Sequence, residues 1–405
     1  MKKTQLIAAL ATPLALATLQ AGAAEQTDEE RISALEQKIA VLQAQQNSSD
    51  LLDRFTINGF ASVGVGIATE ELEYFNGSET DGYAGYTDDS VDFSPESMLA
   101  LQMSFAINDK AQAVVQLVGR GNDDWDPEIE WAYVSYTFDN DVTVRGGRLR
   151  LPIFMLSDYL EVGYAYPFAR PSVEVYGNVP SSTYEGFDLQ TSFDLGETTL
   201  TLQPFVGQTD VPGDTNTEFT ELFGAAATLS YENFTFRTSA ANTTLESNSD
   251  VLDGEDGNFI GFGVNWDNGD WLVLSEWTRA DTDGAYPDFD SYYVSLAYRY
   301  NALTPYIMYA NTESTDNEER AYPEELGLRS ALDSERTAYS VGLRWDFADS
   351  MAVKFDATLL DDFGSTNGNF SENTNYVFIG DSALPYVDQQ FEDAVLYSVV
   401  FDVIF

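Results

Sequence analysis

The stretch from Tyr397 to Phe405 reads YSVVFDVIF and contains two interleaved rows of side chains. One row, counted back from the last residue in steps of two, is entirely apolar or aromatic. The other row is mixed and includes Ser398 and Asp402. Because side chains alternate between the two faces of a strand, this stretch predicts a β-strand with one continuous apolar face. Such a face suits a half-buried strand of a soluble protein or a strand that faces lipid.

The composition narrows the class of protein. The 405 residues include no cysteine and no histidine, and 19 Lys and Arg stand against 67 Asp and Glu. Without histidine, Ser-His-Asp hydrolysis, histidine acid-base catalysis and the usual zinc sites are excluded, which argues against an enzyme. Without cysteine, stability must come from hydrogen bonds and packing. The strong acidity opposes nucleic-acid binding and is typical of a surface that meets saline water or divalent cations.

The first 53 residues are predicted to lie outside the main domain. Residues 1–23 have the pattern of a secretory signal: two lysines, an apolar run and a small-residue cleavage site. A retained anchor is the alternative, although the run is short and contains a proline. For residues 24–53 we predict a coiled-coil leader and a linker, because apolar residues recur there at heptad spacing. These residues are Ile32, Leu35, Ile39 and Leu42. A frayed helix acting as a tether is the alternative.

From residue 54 onward the apolar period changes to two, and sixteen strands are predicted. They lie near residues 54–67, 97–107, 111–120, 129–138, 142–148, 186–194, 198–206, 222–230, 234–242, 258–266, 271–280, 290–300, 303–311, 336–346, 351–360 and 394–405. The alternation is weak in the fourth, eleventh and thirteenth of these. Turns of two to five residues alternate with longer connections, and aromatic residues recur at strand ends. This pattern predicts a sixteen-stranded antiparallel transmembrane β-barrel over residues 54–405, rather than a β-sandwich. A barrel of this size leaves room for an aqueous channel.

The longest connection, loop 3 at about residues 149–185, carries a resemblance. It follows the run GRLRLPIF at 147–154, and the chain has a terminal phenylalanine. In these features it resembles the Gram-negative trimeric outer-membrane porins, over roughly residues 54–405 in topology. The helical leader is more loosely similar to that of dicarboxylate-type channels with a periplasmic coiled coil. Loop 3 lacks the acid-rich core common in enterobacterial porins.

The resemblance implies that loop 3 folds into the pore and narrows it. The implied constriction places Arg148 and Arg150 on or near the wall, with Asp158 and Glu161 facing them from the loop. Opposed charges across a narrow opening would set up a transverse field. The alternative is structural, since an arginine can tie a loop to a strand by forked hydrogen bonds.

Cations are scarce, yet several fall on the polar face of predicted strands. We assign these to the pore wall: Arg54, Arg145, Arg237, Arg299, Arg344 and Lys354. The assignment follows because a charge that faces lipid is costly. An open row of cations would form a track for anions. Pairing with luminal acids such as Asp188 and Asp356 is the alternative.

Acidic residues concentrate in the long connections. The spacing of Asp123, Asp124 and Asp126 would allow oxygen ligands to hold calcium or magnesium. A solvated acidic rim is the simpler interpretation, because no full calcium-loop pattern is present. Bridging of divalent cations to lipopolysaccharide is a further hypothesis, and no other cofactor is expected.

These observations predict an outer-membrane porin, a homotrimer with its leader in the periplasm, in contact with lipid and lipopolysaccharide. Its function would be passive diffusion of ions and small hydrophilic solutes, with no enzymatic activity and no nucleic-acid partner. One alternative is a substrate-selective channel for small organic anions. The other is a structural tether between the outer membrane and the periplasm.

Overall fold

A computed structural model describes residues 54–70, 72, 83, 85–210, 217–247, 253–283, 287–316, 333–364, 366, 368, 374–379, 382–387 and 393–405. Residues 374–379 and 382–387 are described by their backbone alone. The predicted signal peptide, coiled-coil leader and linker lie outside the described residues. Residues 54–405 form one compact unit.

Sixteen antiparallel strands close a barrel, as predicted. They are β1 (Phe55–Ala68), β2 (Met98–Ala106), β3 (Ala111–Arg120), β4 (Pro127–Thr137), β5 (Thr143–Arg150), β6 (Thr183–Asp194), β7 (Thr198–Asp210), β8 (Thr217–Tyr231), β9 (Phe234–Ser247), β10 (Asp256–Asp267), β11 (Trp271–Thr282), β12 (Phe289–Tyr298), β13 (Leu303–Ser314), β14 (Glu335–Ala348), β15 (Met351–Asp361) and β18 (Ala394–Ile404). Strand β18 closes the barrel by pairing with both β15 and β1. The remaining strands, β16 (Thr374–Ile379) and β17 (Ser382–Val387), form a separate hairpin in the last long connection, which the sequence reading missed.

The outer face of the barrel is apolar because side chains alternate between its two faces along each strand, and the outward ones are mostly apolar. Residues such as Val63, Phe187 and Val341 are each more than half exposed, as expected for side chains that face lipid. Pairs of aromatic side chains lie near the ends of the strands, at the edges of the apolar outer face. Trp271 and Tyr298 have ring centroids 4.5 Å apart beside a short turn, and Trp345 and Phe347 have centroids 5.7 Å apart. A second set, Tyr292, Tyr309 and Tyr339, lies nearer the long connections.

Loop 3 lies inside the barrel and explains why some strands alternate poorly. Its side chains, including Phe154, Phe168 and Val175, belong to one buried apolar cluster with inward residues of the wall. On the wall, Leu274 of β11 and Met308 of β13 belong to this cluster. Where both faces of a strand meet apolar surroundings, the alternation of apolar and polar residues disappears. In β4 the cause is different, since its pairing with β3 shifts register between Gln116 and Leu117.

Helices are few and short. One α-helix, α1 (Val173–Tyr176), lies in loop 3, together with single 3₁₀ turns at Ser157–Tyr159 and Gly163–Ala165. Within the described part of the chain, no helix is long and apolar enough to cross a membrane.

Candidate functional site

Loop 3 leaves β5 at Arg150 and returns to the wall at β6, and between these points it crosses the lumen. Its backbone is held by inward side chains from widely separated strands. The NH of Met155 donates to Glu276 of β11 at 2.7 Å, and the NH of Ala169 donates to the hydroxyl of Tyr306 on β13 at 3.1 Å. Asn178 donates to hydroxyls on β12 and β13. These contacts fix the loop as the element that narrows the barrel.

Three of the predicted wall cations bind the backbone of loop 3. Arg237 donates to the carbonyl of Pro152 at 2.7 Å, and Arg344 donates to two carbonyls of the loop at 2.7 and 3.0 Å. Lys354 donates to the carbonyl of Gly163 at 2.6 Å and pairs with Asp402 at 2.9 Å. Lysine and arginine suit this task because their donors saturate carbonyl groups that the loop leaves without partners.

These contacts correct the prediction of an open cationic track. Lys354 points inward, but its side chain is fully buried between loop 3 and β18. Arg344 also pairs with Asp346 at 2.7 Å. The physical reason is that a lumen filled by an inward loop offers the wall cations fixed oxygen atoms in place of mobile anions.

The other wall cations lie away from loop 3 or are paired across strands. Arg145 of β5 forms a forked pair with Asp188 of β6, in which its Nε lies 2.9 Å from Oδ1. Arg299 forms a forked pair with Asp267 at 2.6 and 2.8 Å beside a short turn. Arg54 donates to the carbonyl of Ala106 at 2.5 Å and lies over an aromatic ring at the same end of the barrel. Arg145 and Arg299 therefore follow the pairing alternative, whereas Arg54 has backbone carbonyl partners.

The four residues of the predicted constriction separate into different environments. Arg150 and Glu161 meet at 2.8 Å, and Arg150 also pairs with Glu130 at 3.0 Å. Arg120 of β3 completes this group by pairing with Glu130 at 2.7 Å and with Glu161. The four charges form a closed ring that ties loop 3 to β3 and β4. Neither Arg120 nor Glu130 was singled out from the sequence.

Arg148 and Asp158 do not face each other. In the register of β5 and β6, Arg148 lies opposite Glu185, which shares a face of β6 with the exposed Phe187. Its nearest charge is Glu185 at 3.9 Å. Asp158 is exposed on loop 3 and lies close enough to Arg145 of β5 to interact with it electrostatically. Among the arginines of β5, Arg150 therefore pairs with Glu161 of the loop, and Arg145 is the one that Asp158 acts on.

Two buried arginines fix loop 3 against the wall and against loop 1, the connection between β1 and β2, and sequence reasoning missed both. Arg170 donates to Glu96 at 2.7 Å and to Asp356 at 3.1 Å. Arg336 donates to Glu174 of α1 at 3.0 Å. The ring of Tyr83, from loop 1, lies 5.8 Å from the guanidinium of Arg170 and 5.4 Å from that of Arg336. The described residues Tyr83 and Glu96 of loop 1 thus lie against loop 3.

The protonation of Arg170 is secured by these partners. Burial alone would lower the pKa of Arg170, but the carboxylates of Glu96 and Asp356 outweigh that effect and raise it. Arg170 carries its charge at every accessible pH. The signal for its role was present in the sequence as an arginine inside an apolar loop segment, PFARP at 167–171.

Glu276 is a buried carboxylate that anchors the middle of loop 3. It is 2% exposed, and it accepts hydrogen bonds at 2.7 Å from the NH of Met155 and from the hydroxyl of Tyr176. Burial, followed by the charge of Glu276, raises the pKa of the Tyr176 hydroxyl well above its usual range. Tyr176 therefore remains a hydrogen-bond donor to the carboxylate.

The predicted metal ligands do not converge. Asp123 ends a 3₁₀ turn and lies 3.9 Å from Arg120, while Asp124 adopts a positive φ of 51° that turns the chain. Among the residues that the structure describes, no group of three or more acidic side chains is arranged to hold a metal ion. Asp123 therefore lies beside Arg120, and Asp124 lies in a turn.

Open space remains beside loop 3. A cavity of about 180 Å³ lies between the loop and the wall, and Ser62, Met98 and Val400 line its wall side. A second cavity of about 210 Å³ lies near Arg148, Tyr184 and Asp210. The lumen is therefore narrowed by the loop and retains a solvent-sized space beside the ring of charges.

Comparison with solved structures finds barrels of the same kind. OmpF of Salmonella typhi, in complex with daunomycin, is 13% identical with a TM-score of 0.58, covering 87% of this chain and 97% of that chain. The outer-membrane channel DcaP of Acinetobacter baumannii is 12% identical with a TM-score of 0.56 and the same coverage. The trimer form of OmpT of Vibrio cholerae is 11% identical with a TM-score of 0.54, covering 87% and 99%. No protein-family model and no curated protein sequence matches the chain.

The fold and the inward loop define the class. At these identities the likeness shows the fold alone, and that fold is a porin-like barrel of sixteen antiparallel strands. The resemblance drawn from the terminal strand and from loop 3 is confirmed at this level.

Proposed function

We propose that this protein is an outer-membrane diffusion channel through which ions and small hydrophilic solutes pass passively. The observation that carries the proposal is a long loop held inside a closed sixteen-stranded barrel by contacts with β9, β11, β13, β14 and β15. A barrel of this size without such a loop would be a wide pore. Holding the loop at many points sets an upper size for solutes.

The proposal includes a homotrimer in the outer membrane, surrounded by lipid and lipopolysaccharide, with the residues before the barrel on the periplasmic side. OmpT of Vibrio cholerae, which has a trimer form, supports the oligomeric part by its fold. We also propose that the protein is not an enzyme, since it has no histidine or cysteine. A channel for small organic anions would need inward cations open to solute. The inward cations of the described wall have oxygen partners instead.

Planar-bilayer recording of the purified, heat-modifiable protein tests the function. The expected result is a conductance that rises in three equal steps when one trimer inserts into the membrane. This conductance should not saturate as the salt concentration increases. A protein in which Arg150 and Arg120 are both replaced by methionine should show a larger conductance, because the ring that ties loop 3 to β3 and β4 is lost. Absence of conductance from folded protein would refute the channel and favour the structural tether.

A further inference from the structure

The cavity of about 180 Å³ between loop 3 and the wall has a largely apolar lining. Its apolar side chains come from loop 3 and from two strands of the wall: Ile153, Phe154, Leu160, Val173, Met98 and Val400. An apolar cavity of about 150 Å³ in another protein is large enough to bind benzene. An ordered water needs several polar partners, which such a lining supplies poorly. The cavity therefore suits the apolar part of a small organic molecule.

Two buried polar atoms of opposite character accompany these apolar groups. Glu96 and Arg150 both line the cavity, and they are 8% and 6% exposed. Arg170 binds Oε1 of Glu96, whereas Oε2 has no hydrogen-bond partner among the described residues. Arg150 pairs through its two terminal nitrogens with Glu130 and Glu161, whereas its Nε has no partner in the described part of the chain. The cavity is thus bordered by residues that retain one acceptor and one donor.

The charges around Glu96 favour a cationic partner for its second oxygen. Arg170 pairs with Asp356 as well as with Glu96, so one buried cation serves two carboxylates. A buried polar atom without a partner is costly, and a ligand that supplies the partner removes that cost. An ammonium group is a suitable donor for a carboxylate oxygen.

The second atom asks for the opposite group. The Nε–H of Arg150 is a charged donor, and a carboxylate is the acceptor that a guanidinium group binds most strongly. A ligand that matches the whole cavity therefore has an ammonium group, a carboxylate and an apolar side chain. Apolar pockets with a few polar groups of this kind are typical of small-molecule sites.

We propose that this cavity binds a small apolar amino acid, with its ammonium group on Glu96, its carboxylate on Arg150 and its side chain against the apolar residues of loop 3. Binding requires only the folded barrel. A further consequence, that such amino acids are preferred solutes of the pore, rests on the channel function proposed above. Saturable binding distinguishes this site from simple diffusion through a wide opening.

The test is isothermal titration calorimetry of the purified, folded barrel in detergent with L-leucine. We expect saturable binding with one site in each chain. Two analogues with the same branched side chain separate the polar contacts, since isoamylamine lacks the carboxylate and isocaproate lacks the ammonium group. Each should bind about tenfold more weakly than L-leucine, because one charge-assisted hydrogen bond is lost. L-serine, which lacks the apolar group, should show no saturable binding.

Glu96→Gln tests the contact with the ammonium group. L-leucine should bind about tenfold more weakly to this variant, because the charge that holds the ammonium group is removed. The affinity for isocaproate should stay unchanged, since isocaproate has no ammonium group to lose. An equal loss of affinity for both ligands would show that the change acts through the shape of loop 3 and would contradict the role given to Glu96.

Met98→Trp and Met103→Trp form a matched pair on β2. Met98 lines the cavity, whereas Met103 is 37% exposed on the outer face. Only Met98→Trp should abolish binding of L-leucine, because the larger ring occupies the cavity. No binding to the wild type, or equal affinity of the two tryptophan variants, would overturn the inference. Neither result affects the channel function, which bilayer conductance tests by itself, and a protein that binds L-leucine without conducting would retain the site and refute the channel.

Discussion

Replacing Arg170 by methionine tests whether buried charges hold loop 3 in place. Methionine keeps much of the apolar volume of the side chain and removes its charge and its donors. Two carboxylates, Glu96 and Asp356, would then remain buried, each 8% exposed, without their cation. Breaking a buried ion pair from one side costs about 3–5 kcal/mol. Loss of the contact with the Tyr83 ring adds about 0.5–1 kcal/mol.

The assay is denaturant unfolding of the barrel in lipid vesicles, followed by the fluorescence of its six tryptophans. We expect the free energy of unfolding to fall by about 3–5 kcal/mol for Arg170→Met. Single-channel recordings of the same protein should show larger and noisier current, because loop 3 loses the hydrogen bonds of Arg170 to Asp356 of β15 and to Ser398 of β18.

Two further proteins complete this test. Arg279→Met is the control, since Arg279 pairs with Asp281 and Asp290 but is 41% exposed, and surface pairs of this kind contribute about 0–1 kcal/mol. The triple variant Arg170→Met, Glu96→Gln, Asp356→Asn leaves no buried charge unpaired and should recover most of the loss. Equal losses for Arg170→Met and Arg279→Met, or no recovery in the triple variant, would refute the role of the buried charges.

Three more predictions concern loop 3 and one outer loop. Gly163→Ala brings a methyl group into contact with the carboxylate of Asp402, so we expect a loss of about 1–3 kcal/mol in unfolding and a changed single-channel conductance. Glu276→Gln leaves one carbonyl oxygen where two carboxylate oxygens accepted hydrogen bonds from the NH of Met155 and the hydroxyl of Tyr176. We expect the free energy of unfolding to fall by about 1–3 kcal/mol in the same assay, because one of these two hydrogen bonds is lost. Burial raises the pKa of Asp288, so its ionised form opposes folding; thermal stability should rise as the pH falls through that raised pKa, and Asp288→Asn should lack this rise.

The sixteen barrel strands were predictable because lipid imposes a simple rule on one face of each. In β1 and β18 the outward row is apolar or aromatic throughout, while the inward row includes polar residues such as Ser62 and Asp402, so a period of two is visible in the sequence. Strands β11 and β13 obscured that period because Leu274 and Met308 point inward against loop 3. Loop 3 thus narrows the lumen, and it also makes the alternation of apolar and polar residues less regular in the strands that it covers.

The site was harder to predict because its partners come from distant parts of the chain. Sequence reasoning identified Arg150 and Glu161 but could not assign their partners, Arg120 and Glu130. It predicted that Arg237, Arg344 and Lys354 lie on the polar face of their strands, and these three side chains contact loop 3. It could not show that loop 3 offers them carbonyl groups, since a carbonyl has no residue-specific signal. Glu276 resembles any other luminal acid until its donors are known.

The join between β1 and β18 has a consequence for how the barrel forms. It brings together residues such as Ser62 and Asp402, which are 340 positions apart and hydrogen-bonded at 2.6 Å. Closing so long a segment costs about 5 kcal/mol in chain entropy, far more than any hairpin of neighbouring strands. Asp402 also pairs with Lys354, which holds the carbonyl of Gly163 in loop 3. In an unclosed sheet Asp402 would lack Ser62 as a donor, so the set of contacts that holds loop 3 at this point is complete only when β1 and β18 pair.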